Sequence, residues 1–209
     1  PMKAAESPYG ATKQMGEQIV QEAVNCSNNK AILLRYFNPV GAHPSGLMGE
    51  LPLGKPESLV PAITQTSIGK LPMMKVFGND YETRDGSCVR DYIHVCDIAH
   101  AHTLALNYLL QNKNETNCDV FNLGTGNGYT VLEIINEFEK ASAVKLNYEI
   151  GPRRPGDVVA IYANNDKAKN LLGWDPGSSL HEMMASAWKW ELKLKEDEKI
   201  FNSSNADLN

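Results

Sequence analysis

The chain has 209 residues, 42% hydrophobic and 22% charged, enough for one large globular domain, or one and a half small ones, with a real core. Its net charge is −5, with acidic and basic residues interspersed; without a basic stripe to displace phosphate counterions, neither a nucleic acid nor a membrane surface is an expected partner, and a bound anion must meet a few local arginines. The longest apolar run, around Ala31 to Leu34, is interrupted by Arg35, and the first residues form no charged-then-apolar leader, so neither a membrane span nor a secretory signal is expected.

Ser7 is a good N-cap and Pro8 suits the first helical position, which predicts a helix from Ser7 to about Ala23. Ala31 to Phe37 is a short, bounded apolar run and reads as a buried strand. From Asn38 to about Pro61 the chain is rich in Gly and Pro, a loop long enough to point to function. Ile93 to Val95 feeds a predicted helix over about Asp97 to Leu110. Asp119 to Leu123 is another buried strand, followed by the turn Gly124-Thr125-Gly126-Asn127-Gly128. Thr130 and Glu133 form a capping box for a helix with Val131, Ile134, Ile135 and Phe138 on one face. Asp166 to Leu172 reads as a short helix stopped by Gly173, and Ser179 with Glu182 opens a last helix to about Leu194. The charged tail from Lys195 is expected to be disordered. Strands alternating with helices predict an α/β fold with parallel strands. Cys26, Cys88, Cys96 and Cys118 contain no C-x-x-C pair, and His100 and His102 point to different sides of a helix; reduced thiols, a cytoplasmic location and no metal site are expected.

Two patterns bear on chemistry. Tyr9-x-x-x-Lys13 puts a phenol and an ammonium on one helix face, where the cation can stabilise a phenolate and make it a general base. Taken alone, that spacing is weak, because Tyr and Lys four apart are common on ordinary structural helices. The Gly124 turn lies between a strand and a helix, with Glu149 at about the distance of a ribose-binding acid. Its third glycine arrives one residue early and Tyr129 stands in its place, so a tight turn is expected there and not an independent dinucleotide site.

Longer motifs sharpen the reading. Ser7-Pro8-Tyr9-Gly10-Ala11-Thr12-Lys13 resembles the catalytic helix of extended short-chain dehydrogenases. Leu34 to His43, reading LRYFNPVGAH, resembles the next strand of the UDP-glucose 4-epimerases in particular. Val76-Phe77-Gly78-Asn79-Asp80-Tyr81, Asp85-Gly86-Ser87 and Val89-Arg90-Asp91-Tyr92-Ile93-His94-Val95 continue the likeness. Asn122-Leu123-Gly124-Thr125-Gly126, Arg153-Arg154-Pro155-Gly156-Asp157 and Leu172-Gly173-Trp174 complete it, in family order, over nearly the whole chain to about Leu194.

That resemblance implies the second half of a Rossmann-like parallel sheet with a smaller substrate-binding domain, the N-terminal nucleotide-binding part being missing. Residues 1–38 and 93–126 would be the remainder of the NAD-binding domain, 39–92 and 127–194 the UDP-sugar-binding domain, and 195–209 the tail. It implies NAD as cofactor, a UDP-hexose as substrate, and a homodimer. The implied reaction is C4 epimerisation of UDP-galactose and UDP-glucose, with Tyr9 and Lys13 as the catalytic pair. Tyr9, Lys13, Tyr36 and Phe37 would touch the cofactor. Asn38, Ser58, Leu59, Lys75, Val76, Phe77, Arg90, Arg154, Asp157 and Ile161 would touch the substrate: the two arginines at the diphosphate, Phe77 near the uracil, and Ile161 beside the sugar 2-substituent. A large Tyr at that last position tends to exclude N-acetylated sugars in the family.

There are departures. Ser58 stands where the family often has Asn, Lys75 where a small apolar residue is usual, and Pro155 where Glu is common. The Gly-rich pyrophosphate turn and the Ser or Thr beside the tyrosine are absent, so the chain alone is expected to be inactive. The rival readings are another NAD-dependent sugar-nucleotide epimerase or dehydratase, and a non-catalytic UDP-sugar-binding module.

Overall fold

The computed structural model describes residue 5 and residues 7–206. In chain order these form α1 (Pro8–Asn25), β1 (Ala31–Tyr36), β2 (Asn38–Val40), α2 (Leu59–Ser67), β3 (Met74–Phe77), β4 (Val89–His94) and α3 (Val95–Leu110). There follow β5 (Cys118–Leu123), β6 (Gly128–Thr130), α4 (Val131–Ser142), β7 (Tyr148–Gly151), β8 (Ala160–Ile161), a π-helical turn (Ala168–Leu172) and α5 (Leu180–Ala206). The fold is α/β with parallel pairing, as expected.

Local chemistry sets the helix starts. The Ser7 hydroxyl accepts from the Gly10 amide at 3.1 Å, and Pro8 occupies a first-turn position where no donor is needed. Thr130 accepts from Glu133, and the Glu133 carboxylate accepts from the Thr130 amide at 2.8 Å, so the predicted capping box is present. Ser179 and Glu182 do the same for α5. Gly173, at φ +67, ends the π-helical turn in the left-handed conformation.

Strand β1 pairs with β5 in parallel, from Ala31 opposite Cys118 to Tyr36 opposite Leu123, and α1 and α3 pack against this pair. Strand β4 is the hub of a second sheet: β2 runs parallel along Tyr92 to His94, β6 antiparallel along Val89 to Asp91, and β8 parallel beside Val89 and Arg90. The third sheet is the parallel pair β3–β7. Ile93, Ile98, Phe121, Leu123 and Trp174 form one buried cluster, and the Trp174 indole N–H donates to the Asp97 carbonyl at 2.9 Å. Val60, Ile63, Val76, Phe138, Met183 and Met184 form the other, between α2, β3, α4 and α5.

The structure corrects the sequence reading in three ways. The Gly- and Pro-rich stretch after Asn38 contains β2 and ends at α2, whose Pro61 lies in the first turn, where a missing amide costs nothing. Residues 168–174, assigned by sequence to the substrate unit, pack into the Phe121 cluster instead. Helix α5 runs on through the expected disordered tail to Ala206, supported by Lys193–Asp197 at 2.8 Å and Lys70–Glu198 at 2.8 Å. Residues 207–209 of that tail lie outside the described residues.

Candidate functional site

A cleft of about 620 Å³ opens between α2, β3 and β4, within the size range of small-molecule sites. Alternation along the strands decides what faces it. On β3, Met74 and Val76 turn inward while Lys75 and Phe77 point outward. Along and just before β4, Cys88, Arg90 and Tyr92 line the cleft, whereas Asp91 faces the opposite way.

One end of the cleft is built for an anion. Arg90 donates to the Val158 carbonyl at 2.6 Å and lies 3.5 Å from the Asp157 carboxylate. Arg154 donates to the same carboxylate at 2.8 Å, and its guanidinium lies 5.7 Å from the Phe77 ring centroid. Asp157 thus holds two planar forks where phosphate oxygens could take its place. The start of α2 adds to this field. Ser58 occupies the N-cap but makes no capping bond; its hydroxyl bonds to Glu50, whose carboxyl burial holds above the usual range against that bond. The first-turn amides of α2 therefore lack a side-chain cap beside the cleft.

Of the substrate residues read from sequence, Asn38, Ser58, Leu59, Lys75, Val76, Phe77, Arg90, Arg154 and Asp157 all line this cleft. Ile161 does not: it lies on β8 opposite Arg90, 45% exposed. Tyr9, Lys13, Tyr36 and Phe37 also stay outside the cleft wall. Tyr9 is 71% exposed on α1, with the Lys13 ammonium 5.1 Å from its ring centroid. Phe37 bonds through its amide to Leu123 at 3.2 Å and leads directly to Asn38, which donates to the Asp91 carbonyl at 2.9 Å. One short backbone run therefore joins the Tyr36–Phe37 edge to the cleft.

Sequence reasoning missed Cys88, Tyr92, Lys55 and Glu149 as cleft residues. Period-two alternation from Arg90 could have found the first two. Glu149, considered above as a ribose acid for the Gly124 turn, instead pairs with Lys75 at 3.0 Å across strands that sequence alone does not align. The turn itself is filled from within. The buried Asp91 carboxylate accepts from the Thr125 amide at 2.9 Å, the Thr125 hydroxyl at 2.7 Å, and the Gly126 and Ala163 amides at 3.0 Å each. The amides that could have cradled a phosphate are already bound to an anion.

The family model described as GDP-mannose 4,6 dehydratase matches residues 1–187. A UDP-glucose 4-epimerase of Bacillus subtilis is 50% identical over 188 residues, covering 90% of this chain and 55% of the relative. Among solved structures, a UDP-glucose 4-epimerase of Stenotrophomonas maltophila, with bound NAD and formylated UDP-arabinopyranose, superposes with a TM-score of 0.89 at 43% identity, over 93% of this chain and 57% of that one. Another from Bifidobacterium longum, in complex with NAD+ and UDP, gives 0.86 at 43% identity, over 92% and 57%. The chain thus spans a little over half the length of the relatives it matches.

Proposed function

We propose a function from one premise: the chain belongs to the GDP-mannose 4,6 dehydratase family. The activity best supported is reversible C4 epimerisation of UDP-galactose and UDP-glucose through a 4-keto sugar, as in the epimerases it resembles. The observation that carries this is the cleft, lined by two arginines, the uncapped α2 start and the Phe77 ring, which lies 5.7 Å from the Arg154 guanidinium. That arrangement suits a diphosphate joined to a base.

Tyr9 would take the proton of the sugar 4-hydroxyl and later return it, with Lys13, one helical turn on, favouring the phenolate. Both are exposed on α1, so a nicotinamide ribose can reach them, and Tyr36 and Phe37 at the end of β1 would touch the same cofactor. NAD, when bound, supplies the acceptor and then the donor of the C4 hydride. Arg90 and Arg154 would hold the diphosphate while the sugar turns over, so binding energy remote from C4 anchors both reacting faces. Ile161 would flank the sugar. Residues 1–38 and 93–126, joined by 168–174, would serve the cofactor, and 39–92 with 127–167 the substrate. The four free thiols suit a reducing cytoplasm. Met15 and Ile19, exposed on α1, are apolar residues that a homodimer would cover.

Turnover of UDP-galactose with NAD present, measured in a protein of the relatives' full length that contains this chain, tests the assignment. Tyr9→Phe should slow it by about 10²–10⁴-fold, the range for losing a general base. Near wild-type turnover in a folded Tyr9→Phe protein would remove Tyr9 from the chemistry.

A further inference from the structure

The cleft contains a charged pair that its anion end does not use. Lys75 precedes Phe77 by two residues, on the same outward face of β3. Glu149 lies directly opposite it in register on β7, its carboxylate 3.0 Å from the Lys75 ammonium. The lysine stem runs over Gly151, where a Cβ would come within 2.8 Å of Lys75 Cδ. The missing side chain of Gly151 therefore leaves the channel in which Lys75 lies. Both members of the pair line the cleft and are about half exposed.

Because the pair is net neutral, it is a poor second phosphate site beside Arg90 and Arg154. What it presents is a positioned donor: Glu149 engages one of three ammonium N–H groups and leaves two. Side chains two apart on a strand stand about 6.8 Å from each other, and adjacent strands about 4.8 Å. A ring stacked on Phe77 therefore meets Lys75 before Glu149, which lies on the diagonal. Uracil has a carbonyl on each side of N3–H, whereas cytosine replaces one of them with an amino donor. At the C4 substituent, an oxygen in uracil and an amino group in cytosine, an ammonium gains a hydrogen bond with the first and meets the second donor against donor.

We propose that Lys75, held over Gly151 by Glu149, is a specificity-determining residue that donates a hydrogen bond to O4 of a uracil base, so that the cleft prefers uridine to cytidine nucleotides. This deepens the nucleotide-sugar reading of the cleft and rests on it.

Isothermal titration calorimetry of the 209-residue chain with UDP, CDP and inorganic pyrophosphate is the test, on wild type, Lys75→Met and Lys75→Arg. Met keeps the stem over Gly151 and removes the donors, and a half-exposed ion pair contributes little to stability, so this variant should fold. Wild type should favour UDP over CDP by about tenfold, the scale of a charge-assisted hydrogen bond in a partly exposed site. Lys75→Met should bring that ratio close to one and cost UDP more affinity than pyrophosphate, which feels only the Glu149 charge left unpaired, and Lys75→Arg should restore the preference. An unchanged UDP-to-CDP ratio in Lys75→Met, or equal losses for UDP and pyrophosphate, overturns the role of Lys75 while the cleft reading stands. Absence of UDP binding by wild type overturns the cleft reading itself.

Discussion

Neighbouring residues of β4 divide two tasks. Arg90 faces the cleft; Asp91, next in sequence, turns inward and accepts four hydrogen bonds that tie the turn at Thr125–Gly126 and the chain at Ala163 to the sheet. An amide at that position would keep two acceptor sites and set two N–H groups against buried donors. Asp91→Asn should therefore destabilise the fold by on the order of 3 kcal/mol, read from the urea midpoint. A loss below about 0.5 kcal/mol would mean the turn is held some other way. Ile161 raises a question of substrate breadth. It lies across from Arg90 and is shorter than Tyr, the residue that the family resemblance links to exclusion of N-acetylated sugars. If Ile161 flanks the sugar as proposed, a full-length protein should interconvert UDP-GlcNAc and UDP-GalNAc alongside the simple hexoses, and Ile161→Tyr, adding a ring on the half-exposed β8 face beside Arg90, should suppress that reaction while largely sparing UDP-galactose. Equal losses on both substrates would remove Ile161 from the argument. The arginines and Phe77 were legible as cleft residues because their motifs are long. Asp91 was invisible as a turn filler, since its partners lie far along the chain.

At the scale of elements, His94 ties three of them together. It caps α3, its Nδ1 accepting from the Cys96 amide at 3.1 Å, so its proton sits on Nε2, 3.1 Å from the Ser186 hydroxyl on α5. That hydroxyl accepts from the Ala42 amide at 3.2 Å and donates to the Met183 carbonyl at 3.1 Å. Gly41 permits the contact: at φ +82, a Cβ would stand 2.6 Å from the imidazole. Burial holds the His94 pKa below its usual value, outweighing the opposite pull of Asp97 and Glu182. The unfolded chain then binds the proton more readily, so stability contributed by neutral His94 is full above about pH 6.5 and falls as pH drops through the folded pKa. The urea midpoint should decline between pH 7 and pH 5, and His94→Gln should flatten that slope; an unchanged slope would clear His94. Helices with caps, α1, α4 and the start of α5, were legible, as were the apolar strands β1 and β5, because their signals are local. Strands β2, β6 and β8 have two or three residues each, too few for a period, and exist because β4 offers them backbone partners. The end of α5 was missed because its support comes partly from Lys70, on a distant segment.

Across the whole chain, two regions are suited by type to a diphosphate, and the structure treats them oppositely. The turn after β5 has given its amides to Asp91, while the cleft presents Arg90, Arg154 and the uncapped start of α2. NAD draws much of its anchoring from its pyrophosphate on such amides. In the proposed reading, Tyr9 and Lys13 would offer it a nicotinamide-side contact on an exposed helix face. The chain should therefore bind UDP distinctly more tightly than NAD. A ligand specific for the folded state stabilises it by about 2.7 kcal/mol at a hundred times its Kd, which for about 200 residues is a rise in Tm of roughly 5–10 °C. UDP at millimolar concentration should give a shift of that order, and NAD at the same concentration less than about 1 °C. Arg154→Ala should shrink the UDP shift, because it removes one fork from the anion end and leaves both hydrophobic clusters intact. Equal shifts for NAD and UDP would return the Gly124 turn to consideration as a dinucleotide site, and loss of the NAD shift in a Thr125→Pro variant would locate it there.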